Sequence, residues 1–209
     1  MPGWSDELDE EGWTSFVVLE PDRAVTVARA CDDLLASLAP RDRLVGDKPA
    51  ADTRRLAALD ERLHDVVGEL VGHPELRDAI GHLVGPDAQL TEAAYRCPGP
   101  GGGGQRLHAD DVPKLDDGPA RVATAIVALT RFDESNGATR IVPGSHRRLD
   151  LQRRAGSLDD HPDEIVLTGA PGTAFVFSGH LLHSGTPNRS TSPRPAAQLV
   201  WRRQGTGGP

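Results

Sequence analysis

Hydrophobic positions along the chain follow two rhythms. Trp13 to Leu19 is a short apolar, β-branched run that predicts a strand. Pro21-Asp22 then has the character of a helix start, and Ala24 to Leu38 carries apolar residues at helical spacing until Pro40 closes the segment. Thr53 to Val71 predicts a second helix, with Leu56, Leu59, Leu63, Val66, Val67 and Leu70 on one stripe suited to packing against a sheet. Pro74 to Leu83 predicts a third. After Gly85-Pro86 the helical spacing gives way to short β-rich runs. Gln89 to Tyr95, Gln105 to Asp111, Arg121 to Phe132, Ile141-Val142, Ile165 to Leu167, Thr173 to Phe177 and Ala196 to Arg202 predict strands. Turn clusters separate them, among them Pro98 to Gly104, Glu134-Ser135-Asn136-Gly137 and Pro143-Gly144-Ser145. The expected layout is one domain over residues 1–209. A helical N-terminal layer, 1–85, packs on a mainly antiparallel β-barrel or sandwich, 86–204.

Composition narrows this picture without redirecting it. A chain of 209 residues suits one core better than two. The formal net charge of -8 weighs against broad nucleic-acid binding and against an anionic membrane surface. Cys31 and Cys97 are read as two reduced thiols. The segment Met1 to Glu11 is polar and acidic, unlike a signal peptide, and no apolar run approaches the ~20 residues of a membrane helix. A soluble, cytoplasmic protein is expected. The glycine-rich loop Gly99 to Gly104 lacks the Gly-Lys-Ser/Thr ending of a phosphate cradle and reads as a turn between strands.

Chemistry concentrates in a few of the eight histidines. His64, His73 and His82 fall in the helical region, His161 in a polar loop, and His146 in a turn where a structural hydrogen bond is its expected task. His108-Ala109-Asp110 differs, because residues i and i+2 of an extended segment share a face and can reach one ion. His180 and His183 each offer a third ligand from a distant strand. Two histidines and one carboxylate leave positions open on octahedral Fe(II) for a chelating cosubstrate and O2, although zinc accepts the same donors. Arg194 adds a planar guanidinium fork, suited to the far carboxylate of a bound keto acid such as 2-oxoglutarate.

Three blocks carry a family resemblance. They are His108-Ala-Asp110; Asn136-Gly-Ala-Thr-Arg-Ile-Val-Pro-Gly-Ser-His146; and Phe175-Val-Phe-Ser-Gly-His-Leu-Leu-His183-Ser-Gly-Thr-Pro-Asn188-Arg-Ser190, running on to Arg194. Over about residues 89–202 the chain resembles the phytanoyl-CoA dioxygenase (PhyH) family, whose distal histidine precedes the cosubstrate arginine by eleven positions. That spacing selects His183 over His180. The resemblance implies a mainly β fold with N-terminal helices, a double-stranded β-helix (jelly roll, cupin-like) flanked by helices. It implies Fe(II) on His108, Asp110 and His183, and the C5 carboxylate of 2-oxoglutarate on Arg194. Tyr95 and Thr124 are further candidates for polar contacts to the cosubstrate. Some relatives place a serine two positions after the distal histidine, where this chain has Gly185, so that contact is either lost or replaced by Ser184 or Thr186.

The implied activity is oxidation of a small organic substrate by O2 with 2-oxoglutarate as cosubstrate. Asp110 stands where halogenating relatives have a small residue, so hydroxylation is favoured over halogenation, with desaturation, epoxidation and ring formation left open. The competing reading is a non-oxygenase metal-binding jelly roll or a zinc hydrolase. Arg140, Arg147, Arg148, Arg153 and Arg154 could greet an anionic substrate, although solvated loop charges are the plainer account. The richness in Ala, Arg, Gly and Pro points to a bacterial setting and a natural-product or amino-acid-like substrate, with neither nucleic acid nor membrane as partner.

Overall fold

The computed structural model describes residues 3–38, 53–114 and 118–204. Pro40, expected to close the first long helix, lies outside the described residues. A short helix α1 (Trp4–Glu10) leads into strand β1 (Trp13–Val17). Helix α2 (Pro21–Ser37) begins with Pro21 in its first turn, where the missing N–H costs nothing. Then come β2 (Thr53–Leu56), α3 (Leu59–Arg62), α4 (His64–Val71) and α5 (Pro74–Val84). The second half holds β3 (Ala88–Pro98), β4 (Val122–Ala128), β5 (Thr139–Ile141), α6 (Leu149–Gln152), β6 (Ile165–Val166), β7 (Thr173–Ser178), β8 (His183–Gly185) and β9 (Ala196–Arg203).

Among the described residues two sheets form, with every strand pair antiparallel. The larger has six strands in the order β1-β7-β4-β9-β3-β2, the smaller three in the order β6-β5-β8. Period-two alternation gives the large sheet two apolar faces. Ala123, Ala125, Val127, Ala174, Val176, Ala197, Leu199 and Trp201 pack with Val27, Cys31, Leu70, Leu76 and Ile80 of the helical layer. The opposite face contributes Ile126, Phe175, Phe177 and Ala196 to a second core, shared with Phe132, Ile141 and Leu167. This is a jelly roll with helices on one side, as the resemblance implied.

Two expected elements take another form. The predicted helix over Thr53 to Val71 divides into β2, α3 and α4, and Ala58 between β2 and α3 is left-handed at φ 53°. The edge of β3 is the physical reason: Thr53 to Leu56 pairs with Pro98 to Tyr95 along it, a ladder a helix could not supply. Leu56 and Leu59 are both buried, as a helical stripe would also require, so their spacing did not discriminate. The N-terminal part is thus not purely helical, since β1 and β2 form both edges of the large sheet. Gln105 to Asp111, predicted as a strand, makes only isolated bridges, Leu107 to Leu158 and His108 to His183. Its backbone turns from one partner to the next and never runs a ladder.

Candidate active site

A bridge between two distant segments builds the centre. His108 N–H donates to the His183 carbonyl at 2.9 Å, and His183 N–H returns a bond of 2.9 Å to the His108 carbonyl. Paired residues in such a bridge project side chains to the same side, and the two imidazoles lie with centroids 4.4 Å apart. Asp110, two residues on, is held by its N–H to the Gly179 carbonyl at 2.8 Å. One donor atom from each of His108, Asp110 and His183 lies within 4.8 Å of the others, a grouping that could hold a metal ion.

The hydrogen bonds around these side chains suit a ligand set. Nδ1 of His108 lies 2.9 Å from the Arg106 carbonyl, and Nδ1 of His183 lies 3.0 Å from the Leu181 carbonyl. A carbonyl only accepts, so both Nδ1 atoms carry the proton and both Nε2 lone pairs are free for an ion. The Thr124 hydroxyl donates to Asp110 Oδ2 at 2.7 Å, while Oδ1 stands 3.6 Å from His183 Nε2. Burial pushes the Asp110 carboxyl upward, but His183, the Thr124 hydroxyl, His108 and Arg96 outweigh it and hold the group below its ordinary value. Burial, with His183 beside it, lowers the His108 imidazole and favours its neutral form. Carboxylate and neutral imidazoles are the protonation states that metal binding requires.

A cavity of about 840 Å³ opens at this centre, with Ile126, Phe177 and Ala196 on its apolar wall and Thr139, Gln198, Ser184 and Arg194 among its polar lining. Arg194 is 7% exposed and has no acidic partner among the described residues. Its Nε makes no hydrogen bond, and Cζ lies 4.3 Å over the Phe132 ring, where the guanidinium meets the π face. Burial lowers its pKa to about 10, so it stays charged at neutral pH. A buried guanidinium with unused donors is costly unless an anion arrives.

The structure sorts the remaining candidates. Thr124 lines the cavity, with its proton committed to Asp110. Tyr95 does not line it. Strand alternation turns Tyr95 toward the helices, where its hydroxyl donates to Asp32 at 2.7 Å, and brings Arg96 to the cavity instead. His180 stands apart, 3.6 Å from Asp111. Ser184 accepts from Arg140 Nε at 2.7 Å at the cavity wall, while Thr186 gives its hydroxyl to the Ala138 carbonyl. At Gly185 a Cβ would collide with the Gly103 carbonyl of the glycine-rich loop, so a serine there has no room. None of Arg140, Arg147, Arg148, Arg153 and Arg154 lines the cavity; Arg140 instead binds both carboxylate oxygens of Glu164. The second sequence block works by support: buried Ser145 Oγ accepts the Leu182 N–H at 2.8 Å, steadying the residue before His183.

A family model described as phytanoyl-CoA dioxygenase (PhyH) matches residues 15–196. The dioxygenase trt7 of Aspergillus terreus is 32% identical over 161 residues, covering 73% of this chain and 54% of that protein. The ectoine dioxygenase of Sphingopyxis alaskensis is 26% identical over 229 aligned positions, covering 93% of this chain and 73% of the relative. The chain thus spans about half the length of the first curated relatives it matches. Among solved structures, EctD from S. alaskensis with 2-oxoglutarate and 5-hydroxyectoine superposes with a TM-score of 0.71 at 22% identity, covering 95% of this chain and 74% of that one. The non-haem α-ketoglutarate-dependent epimerase SnoN from nogalamycin biosynthesis gives 0.76 at 18%, covering 99% and 90%.

Proposed function

The chain belongs to the phytanoyl-CoA dioxygenase (PhyH) family, and from that premise we propose that it is an Fe(II)- and 2-oxoglutarate-dependent dioxygenase acting on a small organic molecule. One observation carries the reading: a carboxylate and two imidazoles share a cavity with a buried guanidinium that has no acidic partner among the described residues. His108, Asp110 and His183 hold Fe(II), and Arg194 receives the C5 carboxylate of 2-oxoglutarate. With both bound, the centre supplies the oxidising power, consuming O2 and converting 2-oxoglutarate to succinate and CO2.

The chain's own residues orient and protect. Carbonyls of Arg106 and Leu181 fix the tautomers of the two histidines, and Thr124 fixes the carboxylate. Ile126 and Phe177 keep the wall apolar, limiting water at the reacting centre. Arg194 binds through a fork that matches a carboxylate in two bonds, so it sets the orientation of the cosubstrate as well as its affinity. A carboxylate at Asp110 supports hydroxylation over halogenation. A natural-product or amino-acid-like substrate is in keeping with what the relatives' names say of them, and the bacterial setting rests on the Ala-, Arg-, Gly- and Pro-rich composition. We place the protein in the cytoplasm; among the described residues no helix is long and apolar enough to cross a membrane.

The test is anaerobic reconstitution with Fe(II) followed by 2-oxoglutarate. A weak visible charge-transfer band is expected, absent in His183→Ala and weakened in Arg194→Ala. A folded, metal-loaded protein that forms no band would instead be a zinc hydrolase or a metal-binding jelly roll.

A further inference from the structure

The residues after His183 leave a gap in the cavity wall. Gly185 shares a face with His183, two residues away on β8, but offers no side chain there, and the Gly103 carbonyl fills the space a Cβ would need. Ser184 alternates to the side of Arg140, its partner in the ladder, and accepts from Arg140 Nε. Thr186 gives its proton to the Ala138 carbonyl. Thr139 lies directly opposite Gly185 in the β5–β8 ladder. Facing residues of an antiparallel pair project to the same side, with Cβ atoms ~5 Å apart. The Thr139 side chain therefore stands over the bare Gly185, on the side of His183, and lines the cavity. It is 5% exposed, and its hydroxyl has no hydrogen-bond partner among the described residues. The other hydroxyls of the cavity lining are committed or sealed: Thr124 bonds Asp110, Ser184 bonds Arg140, and Thr53 Oγ1 is buried on the edge strand β2. The core beneath brings Thr139 toward Arg194. Phe132, whose ring carries the Arg194 guanidinium, packs in one cluster with Ala138, Ile141 and Leu167. Ala138 and Ile141 flank Thr139 along the chain, and the Leu167 N–H donates to the Thr139 carbonyl at 2.8 Å.

We propose that the Thr139 hydroxyl binds the C5 carboxylate of 2-oxoglutarate together with Arg194, an assignment that rests on the oxygenase reading and adds a residue to it. A carboxylate offers about four lone-pair sites, and the two bonds of a guanidinium fork leave the others open. In a buried pocket a charged pair is stable only when those remaining sites find donors, so a free hydroxyl on the wall matters more there than at a surface. A strand threonine suits the task, because its β-branch already restricts χ1 and little rotamer freedom is lost when the hydroxyl is engaged. The glycine-rich loop, closing on Gly185, leaves no room for a hydroxyl on that face of β8. The donor comes instead from across the ladder, on β5. With Thr139 in this role the cavity selects a keto acid with a distal carboxylate over one that ends in a methyl group.

The experiment titrates the anaerobic, Fe(II)-loaded protein with 2-oxoglutarate and with 2-oxopentanoate, a keto acid of the same chain length without the distal carboxylate. Binding is read from the visible band, and by calorimetry on the Mn(II)-loaded protein. Wild type is expected to prefer 2-oxoglutarate. Thr139→Val keeps the shape and removes the hydroxyl. It should weaken 2-oxoglutarate roughly tenfold or more while leaving 2-oxopentanoate and Mn(II) affinity unchanged. Thr139→Ser should regain most of the preference. Should Thr139→Val not fold, Thr139→Ala is read in the same way. A merely structural threonine would weaken both keto acids alike, and that result would overturn the proposal. So would a loss of the same size in Ser184→Ala or Thr53→Val, which would move the contact to one of those hydroxyls. A wild type with neither band nor 2-oxoglutarate binding overturns the oxygenase reading along with this one. A wild-type band with the preference intact in Thr139→Val overturns the Thr139 assignment alone.

Discussion

Thr124 sits in the centre of β4 with its side chain in the cavity and spends its only proton on Asp110. Replacing it by Val keeps the shape and removes that bond. We expect Thr124→Val to fold and to lose metal affinity by roughly ten- to hundredfold, as for other outer partners of metal ligands, measured by Mn(II) or Fe(II) titration. His146 makes a prediction about pH. Burial pushes its imidazole from the ordinary 6.5 down to about 4, with Arg147, Lys114 and His180 adding to the effect against the Asp9 carbonyl. The folded chain thus refuses a proton that the unfolded chain accepts between those two values. Its contribution to stability is intact above about pH 6.5, falls with pH through that window and levels off below about 4. Denaturant melts of His146→Gln against wild type across pH 4 to 7 should show the flatter curve in the variant. Residue by residue, legibility followed local spacing. His108 and Asp110 are two apart, and the interval from His183 to Arg194 carries the family resemblance, so both stood out as candidates in the sequence. The Arg55–Arg96 pairing spans a long sequence separation and depends on register, which no local window contains.

Elements meet at a few tight points. Gly172, with φ +91°, precedes β7 where a Cβ would collide with the Leu19 carbonyl at the end of the β1 ladder. Gly172→Ala should therefore destabilise the protein by about 3 kcal/mol or more, read from the urea midpoint, because both backbone strain and collision oppose it. Helices α2 and α5 were legible from their starting prolines and apolar stripes. The stripe from Leu56 to Leu70 misled because an i, i+3 step also fits a strand, a left-handed Ala58 and a short helix. The tract Gln105 to Asp111 misled the other way, since β-rich composition says nothing of whether one partner strand runs alongside it.

The whole molecule closes its candidate ligand set by joining the residue 108–110 segment to β8 far along the chain. Metal binding should therefore stabilise the fold as a unit. With metal at a hundredfold excess over its dissociation constant the gain is ~2.7 kcal/mol, or roughly 5–10 °C in melting temperature. Chelation should remove that gain, and His183→Ala should show little of it, both checked by calorimetric melting with and without Mn(II). By itself the sequence determined the fold class and, through the family resemblance, put forward His108, Asp110 and His183 as candidate ligands and Arg194 as the candidate cosubstrate cation, because strand alternation, His-x-Asp and the His183–Arg194 interval act over short distances. Only the tertiary structure decided that Tyr95 faces the helices, that Thr124 serves Asp110, and that two arginines oppose each other at the cavity wall. Those outcomes turn on register and on which face of a sheet is covered, and a one-residue slip reverses both.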